Sequence, residues 1–180
     1  MHTLISTQLI STQLICVLSK RPILQLQKSK VDKILEALTF ACIAAGWILI
    51  AISYRSLPDN IPIHYDIKGK IDNYGTKKII WLLPFIFTAV TAGIQYLNKY
   101  PHIFNYLVEI NTANAEAQYK AATRLIRIIQ LGVALVFLVL VVDILVSAKS
   151  GSSFLGAWFI PVLLSLFVVP VIYSTLKNRN

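Results

Sequence analysis

The sequence predicts an all-α integral membrane fold: four transmembrane helices with a small ordered extracytoplasmic cap loop between helices 1 and 2. Three observations predict it. Of the 180 residues, 56% are hydrophobic and only 14% are charged, against roughly a quarter charged in a typical soluble domain. The apolar residues gather into four runs, at about residues 34–54, 79–97, 128–148 and 154–176, each close to the ~20 residues that cross a hydrocarbon core as a helix. None of the runs alternates strictly with period two, as a membrane β-barrel strand would. Backbone in lipid must satisfy its own hydrogen bonds within the segment, which leaves helices.

Residues 1–30 precede the first run. Leu4-Ile5-Ser6-Thr7-Gln8 recurs as Leu9-Ile10-Ser11-Thr12-Gln13, and Leu14-Ile15 opens a third copy. A signal peptide carries its positive charge ahead of the apolar stretch, whereas Lys20 and Arg21 follow it. The segment reads as an extension, disordered or interfacial, and residues 31–180 as the membrane domain. Cys16 and Cys42 form neither a disulfide framework nor a metal-ligand spacing and read as small hydrophobes.

The first helix opens near Glu36, whose position in the first turn suits the helix dipole. Trp47 lies deep enough in the run to pack between helices. Pro84, Pro161 and Pro170 fall inside later runs, where membrane helices tolerate kinks because neighbours re-satisfy the freed carbonyls. Trp81 and Trp158, with Tyr54 and Tyr74, fit an aromatic belt at the outer interface. The connection 98–127 is polar. Asn111-Thr112 is a plausible helix start, so one helix is expected to run from this loop into the third span. Tyr119 and the Arg124/Arg127 pair are then placed at the headgroups.

Orientation follows from the placement of the 17 Lys and Arg residues. Lys20, Arg21, Lys28, Lys30, Lys33, Lys99, Lys120, Arg124, Arg127, Lys177 and Arg179 fall on one side. Arg55, Lys68, Lys70, Lys77, Lys78 and Lys149 fall on the other. The richer side is expected to be cytoplasmic. Both termini then face the cytosol of an inner membrane, and the loop 55–78 faces out. The formal charge of +9 is distributed between apolar runs, not in one basic stripe, so nucleic acid is not an expected partner.

The outer loop carries the most information. Ile61, Ile63, Tyr65 and Ile67 alternate with Pro62, His64 and Asp66, which is strand periodicity and puts His64 and Asp66 on one face. Pro58 and Pro62 lack an N–H, so any strand is short or at an edge. Lys68-Gly69 suits a tight turn. The apolar face is expected to rest on the membrane end of the bundle.

Leu57, Pro58, Ile61, Pro62, His64, Tyr65, Gly69, Asp72 and Lys77 stand at fixed spacing: Leu-Pro, two residues, Ile-Pro, one residue, His, an aromatic, then Gly, an acid and Lys. This pattern resembles a bacterial integral membrane family of unknown function whose domain also occurs at the N-terminus of SdpI-type immunity and signalling proteins. The stretch from Asn98 to Tyr106 and the segment Thr123-Arg124-Leu125-Ile126-Arg127 are similar to its four-helix members. The resemblance covers about Val31 to the C-terminus. It implies a cell-envelope protein; the relatives described best protect their cells from a secreted toxin and take part in signalling.

Asp143 is the one acid deep in an apolar run. It lies four residues before Ser147, roughly 6 Å below the outer boundary at the helical rise. An ionisable group there must face protein, water or a partner. It is expected to point toward the cap, pairing with Arg55, Lys77 or Lys78 or bonding a hydroxyl. His64, Asp66, Asp72, Lys77 and Asp143 are the candidate binding residues. Three readings of them stay open: a metal or acid–base site using His64, a recognition pocket, or a structural tie for the loop. No motif selects a metal, and no cofactor is expected. Phosphate-loop, Gly-x-Ser-x-Gly and His-Glu-x-x-His signatures are absent.

The leading functional reading is a non-enzymatic envelope protein that binds or senses an extracytoplasmic peptide or small ligand. The alternative is a membrane enzyme or small transporter subunit using His64 and Asp143. Expected partners are the lipid bilayer and, for transport, a second copy of the chain.

Overall fold

The computed structural model describes residues 21–177. The N-terminal repeat, Cys16 and Arg179 lie outside the described residues. Four helices follow in order: α1 (Lys30–Ser53), α2 (Leu82–Leu97), α3 (Ala115–Ser150) and α4 (Phe159–Lys177). Between α1 and α2 stands an antiparallel hairpin of β1 (Asn60–Tyr65) and β2 (Ile71–Thr76). With the short 3₁₀ turns Tyr54–Ser56 and Lys77–Trp81, the first two helices extend to spans of 27 and 21 residues. All four elements are long and apolar enough to cross a membrane. The chain is therefore a multi-pass membrane protein by the length and composition of its helices.

The helix boundaries follow from caps as well as hydropathy. α1 starts at Lys30, four residues ahead of its apolar run, because Ser29 and Asp32 form a reciprocal capping box. The Ser29 hydroxyl accepts from the Asp32 N–H at 3.2 Å, and the Asp32 carboxylate accepts from the Ser29 N–H at 2.9 Å. α3 runs unbroken for 36 residues, or about 54 Å at 1.5 Å per residue. A hydrocarbon core is only ~30 Å thick, so this helix projects beyond it, as its polar first turns require. Asn111 and Asn114 prepare its start: Asn111 Oδ1 accepts from the N–H groups of Ala113 and Asn114 at 2.9 and 3.0 Å. Gly151 ends it at φ +73°, donating back to Ser147 O at 2.8 Å. α4 begins at Phe159, later than hydropathy indicated, because residues 151–158 form a loop folded onto α3.

α1 packs chiefly on α3, and α2 and α4 flank α3. Ile43 and Ile50 of α1 meet Ala134, Phe137, Val141 and Ile144 of α3. Gly46 is what allows the close approach: a β-carbon there would lie 2.2 Å from the Phe137 ring. Trp47 packs between helices as expected, 4.9 Å from Phe85 edge-on, and donates to Thr88 Oγ1 at 3.0 Å. Trp81 stacks on Trp47 and Tyr54 at 6.0 and 5.4 Å. No described residue of α4 is fully buried, so this helix meets the surrounding solvent, not the core, along most of its surface.

Residues 21–29 are ordered, unlike a disordered extension. They form an extended strap across the end of the bundle opposite the hairpin. Arg21 donates to His102 O and Phe104 O at 3.1 and 2.6 Å. Tyr119 is fully buried and donates to Pro22 O at 3.2 Å. It is a core residue of a second cluster with Ile110 and Ala115.

Candidate functional site

The hairpin is part of the core at its base. Leu57, Ile61 and Ile80 are buried in the same cluster as Ile50 and Val141. Strict alternation fails here. Ile61 and Pro62 are both buried, while Ile63 is partly exposed. Pairing runs Asn60 with Thr76, Ile61 with Gly75 and Pro62 with Tyr74, then shifts so that His64 faces Asn73 and Tyr65 faces Ile71. The shifts bracket the residues after Pro62, whose missing N–H interrupts the ladder. Ile63 folds over Gly75, and Ile67 is left 77% exposed, so neither belongs to the inner face as expected.

The turn is fixed by Asp66. Its Oδ1 accepts from the N–H groups of Lys68 and Lys70, each at 2.8 Å. Gly69 sits at φ +77° with the Leu155 carbonyl against it, where a β-carbon would lie 2.2 Å from that oxygen. The hairpin tip is thus docked on the loop between α3 and α4. Lys77 ties the two feet of the hairpin together, donating to Leu57 O at 3.2 Å and lying 3.1 Å from Asp59 Oδ1. It also lies over the Tyr54 ring at 5.8 Å.

Asp143 points toward the cap region, and its partners are a hydroxyl and a backbone amide. The side chain is fully buried. Its Oδ1 accepts from Ser153 Oγ at 2.9 Å and from the Phe154 N–H at 3.0 Å, which folds the 151–158 loop onto α3. Among the described residues Oδ2 has no hydrogen-bond partner, and Asp143 forms no ion pair with Arg55, Lys77 or Lys78. Beside it, Tyr65 Oη lies 3.4 Å from Ser147 Oγ. Burial pushes the Tyr65 phenol up, with the Asp143 carboxylate adding to the rise. We predict that Asp143→Ala lowers stability by about 2 kcal/mol, because it strands a buried hydroxyl and amide. Asp143→Asn should cost less than half of that, since its amide oxygen still accepts both bonds. Thermal midpoints in detergent check this; equal losses for the two variants would contradict it.

His64 and Asp72 come together on the exposed side of the hairpin, Nδ1 to Oδ1 at 2.6 Å, with side-chain exposures of 68% and 44%. The expected candidates therefore divide. His64 and Asp72 form one exposed pair. Asp66 and Lys77 hold the hairpin in shape. Asp143 is enclosed beneath a different loop. Among the described residues no group of three potential metal ligands forms.

Sequence reasoning missed the densest polar cluster, at the strap end. Arg124 Nε donates to Asp32 Oδ1 at 3.1 Å, and Arg127 Nε donates to Glu36 Oε1 at 2.8 Å. Lys28 reaches the other oxygen of Glu36 at 2.7 Å. The Arg127 side chain is only 8% exposed. Arg127 is thus a buried ion-pair partner, and Glu36 answers it as well as the helix dipole. Beneath this network Gln130 Nε2 donates to Thr91 O at 2.9 Å, joining α3 to α2. Asp32 and Glu36 are four apart and Arg124 and Arg127 three apart, so spacing puts each pair on one helix face without showing which faces meet.

Residues 41–88 match a family model described as a domain of unknown function (DUF1648). The match takes in the second half of α1, the hairpin and the start of α2. An uncharacterized protein from Archaeoglobus fulgidus is 28% identical over 81 residues, a match covering 41% of this chain and 44% of that protein. The chain thus spans less than half the length of this relative. No solved structure matches.

Proposed function

We propose that the protein is a non-catalytic, multi-pass component of the cell envelope that binds or senses a peptide or small ligand through the outer face of its hairpin. The hairpin then faces outward, and both termini face the cytosol of an inner membrane. The uneven placement of Lys and Arg supports that orientation, and the motif's resemblance to SdpI-type immunity and signalling proteins supports the class of role.

The observation that carries the reading is the His64–Asp72 pair. It is a largely exposed cross-strand pair on a hairpin whose base and tip are both anchored by other residues. Exposed pairs of this kind add about 0–1 kcal/mol to stability, so recognition accounts for it better than folding does. Tyr74, 51% exposed, and Ile63 lie on the same small hairpin. A two-stranded sheet also leaves strand edges to which an extended peptide can add. The alternative, an enzyme or transporter joining His64 to Asp143, has less support, because one side chain is open and the other is enclosed.

A photocrosslinking amino acid at Tyr74, in cells producing the full chain, is expected to trap a ligand. His64→Ala should abolish the adduct while moving the thermal midpoint of the purified protein by less than ~2 °C. A large stability loss with an unchanged adduct would make the pair a structural tie and overturn the reading.

A further inference from the structure

A second site lies at the opposite end from the hairpin. The strap roofs a cavity of about 580 Å³ between the ends of α1, α2 and α3, within the usual size of small-ligand sites, roughly 300–1,000 Å³. Its lining includes Gln95, Asn98, Lys99, His102, Lys120 and Arg127.

Two features of this lining call for a ligand. The first is unmet hydrogen bonding. Asn98 is 6% exposed, and its Nδ2 donates to Thr123 O at 3.2 Å. Among the described residues its Oδ1 has no partner, nor does the buried Gln95 Oε1. Buried polar atoms rarely go unpaired in native proteins, and each costs about 1–3 kcal/mol when they do. The strap's main chain from residue 23 to 28 makes no backbone hydrogen bond among the described residues.

The second feature is charge. Lys28, Lys120 and Arg127 already face carboxylates. Lys99 does not: among the described residues its one charge contact is the Tyr96 ring, 6.0 Å away. Among the described residues His102 pairs with no acid, and its ring lies 6.2 Å from the Tyr100 ring. A ligand suited to this lining carries an anion for Lys99 and His102, and donors for the Gln95 and Asn98 amide oxygens. A phosphate ester with free hydroxyls has both.

Depth narrows the source. The cavity lies where the apolar spans end, next to Ile23 and Leu24, both exposed. That is the level of phospholipid headgroups. We infer that the cavity under the strap binds the glycerol-phosphate headgroup of an anionic phospholipid. A soluble phosphate ester shares that chemistry and is separated from the lipid by experiment.

The test uses the purified full chain in an uncharged detergent, followed by native mass spectrometry and thermal midpoint. The probes are short-chain phosphatidylglycerol, short-chain phosphatidylcholine and glycerol 3-phosphate. Phosphatidylglycerol is expected to form a saturable one-to-one complex about ten-fold tighter than phosphatidylcholine. Lys99→Gln should weaken it about ten-fold, the scale of one charge-assisted contact. Lys149→Gln, at the hairpin end, should leave it unchanged. Glycerol 3-phosphate binding as tightly as the lipid, with the same Lys99 dependence, would keep the phosphate site and assign it a soluble ligand. Equal binding of the two lipids, equal effects of the two lysine variants, or no binding at all would overturn the inference.

Discussion

Arg127→Ala is expected to cost the bundle about 3–5 kcal/mol, the scale for removing one partner of a buried ion pair. The reason is what remains. Glu36 is nearly buried at 13% side-chain exposure and keeps as its cation only Lys28, which is 44% exposed, beside the neutral Gln95 amide. Asp32 loses a second cation 4.0 Å away. Arg124→Ala should cost far less, about 1 kcal/mol, because that side chain is 45% exposed and water can take over part of its role. Replacing both partners, Glu36→Leu with Arg127→Met, should recover most of the loss, since an apolar pair of similar volume leaves no charge stranded. Thermal midpoints of the four proteins in one detergent test the ordering. Equal losses from Arg124→Ala and Arg127→Ala would show that burial does not set the energetics of this network.

Gly69→Ala is expected to cost about 2–4 kcal/mol, by two routes that can be separated. The left-handed backbone alone costs a residue with a β-carbon roughly 1–2 kcal/mol. The clash with Leu155 O adds about as much again, because a carbonyl in a docked loop cannot retreat as a flexible side-chain end could. Gly151 is the internal control. Its φ is +73°, against +77° for Gly69, but nothing lies within 4 Å of its would-be β-carbon. Gly151→Ala should therefore show the backbone cost without the clash. The difference between the two variants measures the docking of hairpin on loop. Faster proteolysis within residues 60–76 should accompany Gly69→Ala alone. Identical losses would mean that the hairpin tip does not press on the 151–158 loop.

Much of the fold was legible because it rests on composition. Runs of apolar residues long enough to span a bilayer have few other solutions, and the Lys68-Gly69 turn and the continuous third helix follow from local rules. The boundaries were less legible. Hydropathy alone starts α1 at Ile34 and hides a helical turn that includes Lys30, Asp32 and Lys33, although Ser29-x-x-Asp32 is itself a start signal. Strand alternation misplaced Ile63 and Ile67, because the register shifts after Pro62 depend on how the hairpin seats on the core. The site divided for a similar reason. Spacing shows that His64 and Asp66 are near each other, but not that Asp66 turns back on its own loop while His64 takes Asp72. The strap-end network joins residues about ninety positions apart, such as Arg124 with Asp32, and nothing local predicts such a pairing.

In the proposed arrangement the hairpin and the strap stand on opposite faces of a membrane, the hairpin outward. Two single-cysteine variants test it most directly, His64→Cys and Lys99→Cys, each in a background with Cys16 and Cys42 replaced by Ser. In intact cells a membrane-impermeant maleimide is predicted to label position 64 at once and position 99 only after permeabilisation. Labelling at 99 but not at 64 in intact cells would reverse the orientation, and labelling of both would contradict the membrane-spanning arrangement itself.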